Sequence, residues 1–122
     1  MGCQKEVGPA SLVGSTWSFQ SAVVVTTPLN GGSSTSSPRP LAAGSYVYTY
    51  RADGTYLIKA PGGDFPGTYT YSGTTLILTS TILHGPPPRT LSVTELSAHR
   101  LVTVEDTETG GNRYSDTVIS TR

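Results

Sequence analysis

The chain has 122 residues, enough for one hydrophobic core and one domain. Eight basic residues balance eight acidic ones, so no basic field exists to hold nucleic acid or an anionic membrane face. Hydrophobic residues make up 35% and charged residues 13%, and Ser and Thr together number 34; this is too polar for a helical bundle and too rich in Tyr, Val, Ile and Thr for a disordered chain.

The longest unbroken apolar run is Ala22 to Val25, far short of a bilayer-spanning helix. Two-residue alternation dominates from Thr16 onward, which predicts strands rather than helices. In chain order the predicted strands cover 15–26, 45–51, 55–60, 67–72, 75–81, 89–95, 99–106 and 113–121. Ala52-Asp53-Gly54, Ser72-Gly73-Thr74 and Leu96-Ser97-Ala98 mark tight turns between them. The remaining connections, 27–44, 61–66, 82–88 and 107–112, are expected to be longer loops.

In an up-and-down meander, successive connections alternate between the two ends. The three tight turns then share one end, and the four longer loops share the other. That sorting predicts a cup: an eight-stranded antiparallel β-barrel, all-β, with one closed end and one open end. An even strand count also brings the last strand beside the first and removes both sheet edges. The rival is a two-sheet sandwich. The loop at 27–44 carries Gly31-Gly32 and Pro38-Arg39-Pro40, and reads either as a lid or as a mobile surface loop. His84-Gly85-Pro86-Pro87-Pro88 is expected to form a stiff rim.

Side-chain parity sorts the residues by face. Trp17, Phe19, Val23 and Val25 share a face in the first strand, and Tyr46, Tyr48 and Tyr50 in the second. Tyr56 and Ile58, Tyr69 and Tyr71, Leu76 and Leu78, then Leu91 and Val93 follow. The last two strands are ambiguous, because Leu101 opposes Val102 and Val104, and Tyr114 and Val118 oppose Ile119. The inner face is therefore apolar but rich in tyrosine. Tyrosines either fill the lumen or line a cavity, offering rings to an apolar body and hydroxyls to its polar tip. The expected lining is Phe19, Val25, Tyr46, Tyr48, Tyr50 and Tyr56 with Ile58, Tyr69, Tyr71 and Leu78. Val25, Tyr46 and Ile58 are expected near the mouth and Tyr69 deeper, with Arg39, Asp64, Phe65, His84 and Arg89 at the mouth itself.

No catalytic constellation emerges, and the chain is read as not an enzyme. His84 and His99 fall at opposite ends of the meander, so they cannot share a metal. No nucleophile elbow, phosphate loop or His-Glu-x-x-His motif is present. Asp64 is a candidate partner for Arg39 or Arg89 across the mouth. Glu105, Asp106 and Glu108 read as a solvated acidic turn rather than a calcium site. No cofactor or metal is implied.

From Leu12 to Arg122 the chain resembles the lipocalin-like lipoproteins of bacteria, within the calycin group. Leu12-Val13-Gly14-Ser15-Thr16-Trp17 is similar to the Gly-x-Trp start of the first lipocalin strand, with one additional residue. Tyr48-Thr49-Tyr50-Arg51-Ala52-Asp53-Gly54-Thr55-Tyr56 and Gly67 to Thr79 resemble two hairpins of the bacterial members. Val93-Thr94-Glu95-Leu96 stands where lipocalins carry Thr-Asp-Tyr, with Leu96 departing from the aromatic. Arg122 stands where the family places an arginine over the first-strand tryptophan, and the meander itself brings Trp17 and Arg122 to the closed end.

The start of the chain resembles a mature bacterial lipoprotein, with Gly2 before Cys3 and a short polar stretch after it. That likeness implies acylation of Cys3, a tether over residues 1–11 and a barrel domain over 12–122. It also implies a cell-envelope location, as an outer-membrane lipoprotein facing the periplasm or cell surface. Gln4-Lys5-Glu6 is similar to a surface-export signal. The expected function is a monomeric, lipid-anchored barrel that binds a small, largely hydrophobic molecule in its lumen. The alternative is an interaction module with a packed barrel, which binds a protein or glycan through its long loops.

Overall fold

The computed structural model describes residues 11–14 and 16–122. Cys3 and the tether through residue 10 lie outside the described residues. Nine strand segments follow in order, with no helix among the described residues: β1 (Trp17–Pro28), β2 (Thr35–Pro38), β3 (Val47–Tyr50), β4 (Thr55–Ala60), β5 (Gly63–Ser72), β6 (Thr75–Ser80), β7 (Arg89–Leu96), β8 (Arg100–Thr109) and β9 (Asn112–Thr121). β2 and β3 both pair antiparallel with β1, successive strands from β3 to β9 pair antiparallel, and β9 pairs with β1 from Asn112↔Pro28 to Thr121↔Ser18. The sheet thus closes into an eight-stranded barrel, because β2 and β3 are two halves of one strand.

Both halves lie along the same edge of β1: Thr35–Pro38 pairs with Val23–Thr26, and Val47 and Tyr48 pair with Ser18 and Trp17. Between them residues 39–46 leave the sheet. Three backbone bonds hold this excursion to β1: Arg39 N to Ala22 O, Gly44 N to Phe19 O and Phe19 N to Tyr46 O. The connection at 27–44 is therefore a hairpin arm and a bulging segment rather than one long loop. Pro38 stands at a non-bonded position of β2, so the free edge of that arm lacks one N–H donor, which blunts it against pairing with another chain.

Two of the other expected loops are also strand. β5 begins at Gly63, and Ala60↔Gly63 leaves only Pro61-Gly62 as a turn. Pro66 does not break β5, because it sits just beyond the last β5–β6 pair, Gly67↔Ser80, where its carbonyl still accepts from Thr81 N and only the one reciprocal donor at the ladder's end is lost. β8 and β9 run on to Thr109 and Asn112, leaving Gly110-Gly111 as a two-residue turn with φ of 59° and 80°. Positive φ at both positions is the type I′ geometry that matches strand twist. Longer connections at the open end are thus only the 29–46 stretch and the 81–88 loop.

The core occupies the closed half of the barrel. Trp17 and Leu76 are fully buried, and Leu12, Tyr50, Leu91, Val93 and Leu101 pack with them. Residues 11–14 cross this end as a plug, with Val13 bridging to Tyr50 in parallel and Leu12 2% exposed. The Trp17 indole N–H donates to Leu12 O at 3.0 Å. The Arg122 guanidinium lies over the Trp17 ring at 4.0 Å and donates to the carbonyls of Ser11, Val13 and Ala98. One side chain thereby ties the last strand, the plug and the β7–β8 turn together.

Gly67 is required for space. A Cβ there would overlap the Tyr56 ring and the Thr79 carbonyl, one of them backbone. Gly67→Ala is expected to destabilise the barrel by about 1–3 kcal/mol through overpacking, readable as a lower midpoint in urea with an unchanged slope.

Candidate functional site

Above the packed half the barrel is hollow. A cavity of about 420 Å³ opens at the mouth end. β1 supplies Phe19 and Ala22, the excursion supplies Arg39, Leu41 and Tyr46, and β3 supplies Tyr48. Tyr56, Ile58, Phe65, Leu78 and Ser80 form the opposite wall, and Pro86 and Pro87 cover it from the 81–88 loop. Arg89, Asp116 and Val118 complete the lining. A second chamber of about 60 Å³ lies deeper, reached by Tyr48, Tyr50, Ile58, Leu78 and Arg89 from above and by Leu101, Thr103, Glu105 and Ser120 from β8 and β9. Its volume, with Thr103, Glu105, Asp116 and Ser120 as polar partners in a mainly apolar lining, suits one or two ordered waters.

The structure distributes the sequence-expected residues as follows. Phe19, Tyr46, Tyr48, Tyr56, Ile58 and Leu78 line the main cavity, and Tyr50 only the lower chamber. Arg39, Phe65 and Arg89 also line the cavity. Val25 does not. The β1–β9 register runs Ile119↔Ser21 and then Ser120↔Phe19, so Gln20 is an extra residue in β1. Such a bulge reverses the parity beyond it, and Ala22 replaces the Val23–Val25 face in the lining. Tyr69 and Tyr71 also lie away from the cavity. They line a groove at the closed end with Leu12, Val13 and Leu96, and the Tyr69 hydroxyl donates to Arg51 O at 2.8 Å. Asp64 pairs across the sheet with Lys59 and is exposed. His84 is exposed at φ 60° on the rim, outside the lining.

Sequence parity missed the polar wall. Glu105 on β8 and Asp116 on β9 are direct cross-strand neighbours. Both face the lumen, since Glu105 lines the lower chamber and Asp116 both chambers. Adjacent carboxylates repel, and each is matched by an arginine. Arg89 bonds Glu105 through Nε at 3.0 Å and Nη2 at 2.7 Å, and Arg39 Nη2 bonds Asp116 Oδ2 at 2.8 Å. Asp64 thus takes neither arginine. Asp116 Oδ1 is buried without a partner among the described residues. The available signal was the two-residue spacing of Asp116, Val118 and Ser120, masked by the equally apolar Ile119.

Burial raises the Tyr48 hydroxyl to about 12, against the opposing pull of Arg89 and with small additions from Tyr46 and Asp116. Tyr50 is raised further, again chiefly by burial. Glu105 holds Arg89 protonated through its hydrogen bonds. Because the folded tyrosines keep protons that the unfolded chain releases above pH 10, their contribution is full below pH 10 and lost as pH rises toward 12. Melting temperature is accordingly expected to fall steeply between pH 10 and 12, and Tyr48→Phe is expected to flatten part of that fall.

No family model matches the chain, and no curated protein matches it. Among solved structures the barrel is similar to the crystal structure of an uncharacterized protein from Bacteroides eggerthii, at 16% identity and a TM-score of 0.53. The match covers 92% of this chain and 100% of that one. At that identity the likeness shows the shared fold: an antiparallel eight-stranded β-barrel.

Proposed function

We propose that the chain is a lipocalin-like binding protein that holds a small, largely apolar molecule in the open half of its barrel. One observation carries this reading: a mouth-accessible cavity of about 420 Å³ stands over a closed, packed floor. That volume falls in the range of small-molecule sites. Aromatic rings from Phe19, Tyr46, Tyr48, Tyr56 and Phe65 supply flat apolar walls. The Trp17–Arg122 stack at the closed end supports the lipocalin-like reading. Anchoring through an acylated Cys3 at the cell envelope belongs to the same proposal. Ser11 lies at the closed end, so a tether joining there would leave the mouth free.

Val118→Phe tests the proposal, because Val118 lines the cavity from β9 and a larger ring there occupies the volume a ligand needs. The wild-type barrel is expected to brighten N-phenylnaphthylamine with saturable, one-to-one binding. The variant is expected to bind at least about tenfold more weakly, with stability changed by less than about 2 kcal/mol. Equal uptake by both proteins would place binding elsewhere. No uptake by the wild type would favour a scaffold that binds a protein or glycan through its loops.

A further inference from the structure

The cavity presents its charges unevenly. The Arg39 and Arg89 side chains are 46% and 47% exposed, whereas those of Asp116 and Glu105 are only 20% and 19% exposed. Glu105 lines the lower chamber and not the main cavity. Asp116 Oδ2 is occupied by Arg39, and Oδ1 is shut away from the accessible space. The acids therefore stand behind the guanidiniums, each more buried than its partner and with Asp116 Oδ2 and both Glu105 oxygens already accepting from an arginine. Donors remain in front. Among the described residues Arg39 spends only Nη2, leaving Nε and Nη1, and Arg89 spends Nε and Nη2, leaving Nη1. Tyr48 lines the same cavity.

We infer that the ligand is an amphiphile with a single acidic head group, its oxygens held by Arg39 and Arg89 and its apolar body lying against Phe19, Tyr46 and Phe65. This rests on the carrier reading above. An acid head gains charge-assisted hydrogen bonds from donors that are already in place. An ammonium head meets two guanidiniums before it reaches a carboxylate. A hydroxyl head gains one ordinary hydrogen bond.

Calorimetric titration with dodecanoate, dodecanol and dodecylamine, each below its aggregation concentration, tests this. Dodecanoate is expected to bind at least about tenfold tighter than dodecanol, and the gap is expected to narrow with salt. Arg39→Gln is expected to bring dodecanoate close to the affinity of dodecanol. Asp116→Asn removes the competing carboxylate and is expected to tighten dodecanoate by about threefold or more. The double variant Arg39→Gln/Asp116→Asn leaves no charge unpaired, and it replaces Arg39→Gln as the comparison if that variant unfolds. Equal binding of dodecanol and dodecanoate would overturn the head-group inference and leave the carrier reading intact. Tightest binding by dodecylamine, abolished in Asp116→Asn, would overturn it in favour of a cationic ligand. Failure of all three, together with failure of N-phenylnaphthylamine, would remove the carrier reading and this inference with it.

Discussion

Trp17→Ala is expected to destabilise the barrel by about 3–5 kcal/mol, the range for deleting a large buried aromatic. Trp17 is fully buried at the centre of the closed-end core. Its removal empties the floor of the barrel, orphans the Leu12 carbonyl and takes the aromatic face from beneath Arg122. Three elements meet there: the plug at 11–14, the start of β1 and the end of β9. The loss is thus cooperative rather than confined to one side chain. For a domain of this size the melting temperature is expected to drop by roughly 10–20 °C. Trp17→Phe keeps most of the volume and loses the N–H, and is expected to cost less than half as much. Thermal melts of the two variants beside the wild type separate volume from hydrogen bonding. A melting temperature unchanged in Trp17→Ala would mean that the plug does not close the barrel.

Arg89→Ala is expected to cost about 2 kcal/mol, less than the deeply buried case because the arginine is half exposed. The variant leaves Glu105 mostly buried and directly opposite Asp116, with one arginine between two acids. Restoring balance should restore stability. Arg89→Ala/Glu105→Ala is expected to recover more than half of the loss, and a double-mutant cycle in urea reads the coupling directly. Additive losses would mean that the ion pair is a surface contact with no part in shaping the lumen wall.

Alternation and turn residues made most of the barrel legible. Asp53-Gly54 and Ser72-Gly73 end strands where the chain must reverse, and Tyr50↔Tyr56 and Ser72↔Thr75 pair across those turns. The closed-end pair of Trp17 and Arg122 came from the family resemblance, with the even meander supporting it independently. Bulges were not legible. Gln20 in β1 and Thr94 in β7 each insert one residue, and nothing in a two-residue period announces where it slips. The first slip moved Val25 off the lining, and the second turned Leu96 rather than Glu95 toward Leu101. Proline and glycine misled in the opposite sense. Phe65-Pro66 and Gly110-Gly111 read as loop, yet the ladder runs through the first and reverses tightly at the second. The polar lumen wall was hidden for a different reason. In β8 and β9 both faces carry apolar residues, and only the neighbouring strands decide which one turns inward.

The carrier proposal requires ligand to bind in the open half of the barrel. An isotope-labelled sample titrated with N-phenylnaphthylamine, followed by side-chain and backbone resonances, tests it most directly, because the closed end offers a rival concavity. Saturable shifts at Phe19, Leu78 and Val118, with Tyr71 and Leu96 unmoved, are the expected result. Shifts confined to Tyr71, Leu96 and the plug at 11–14 would place the ligand in the closed-end groove and contradict the account.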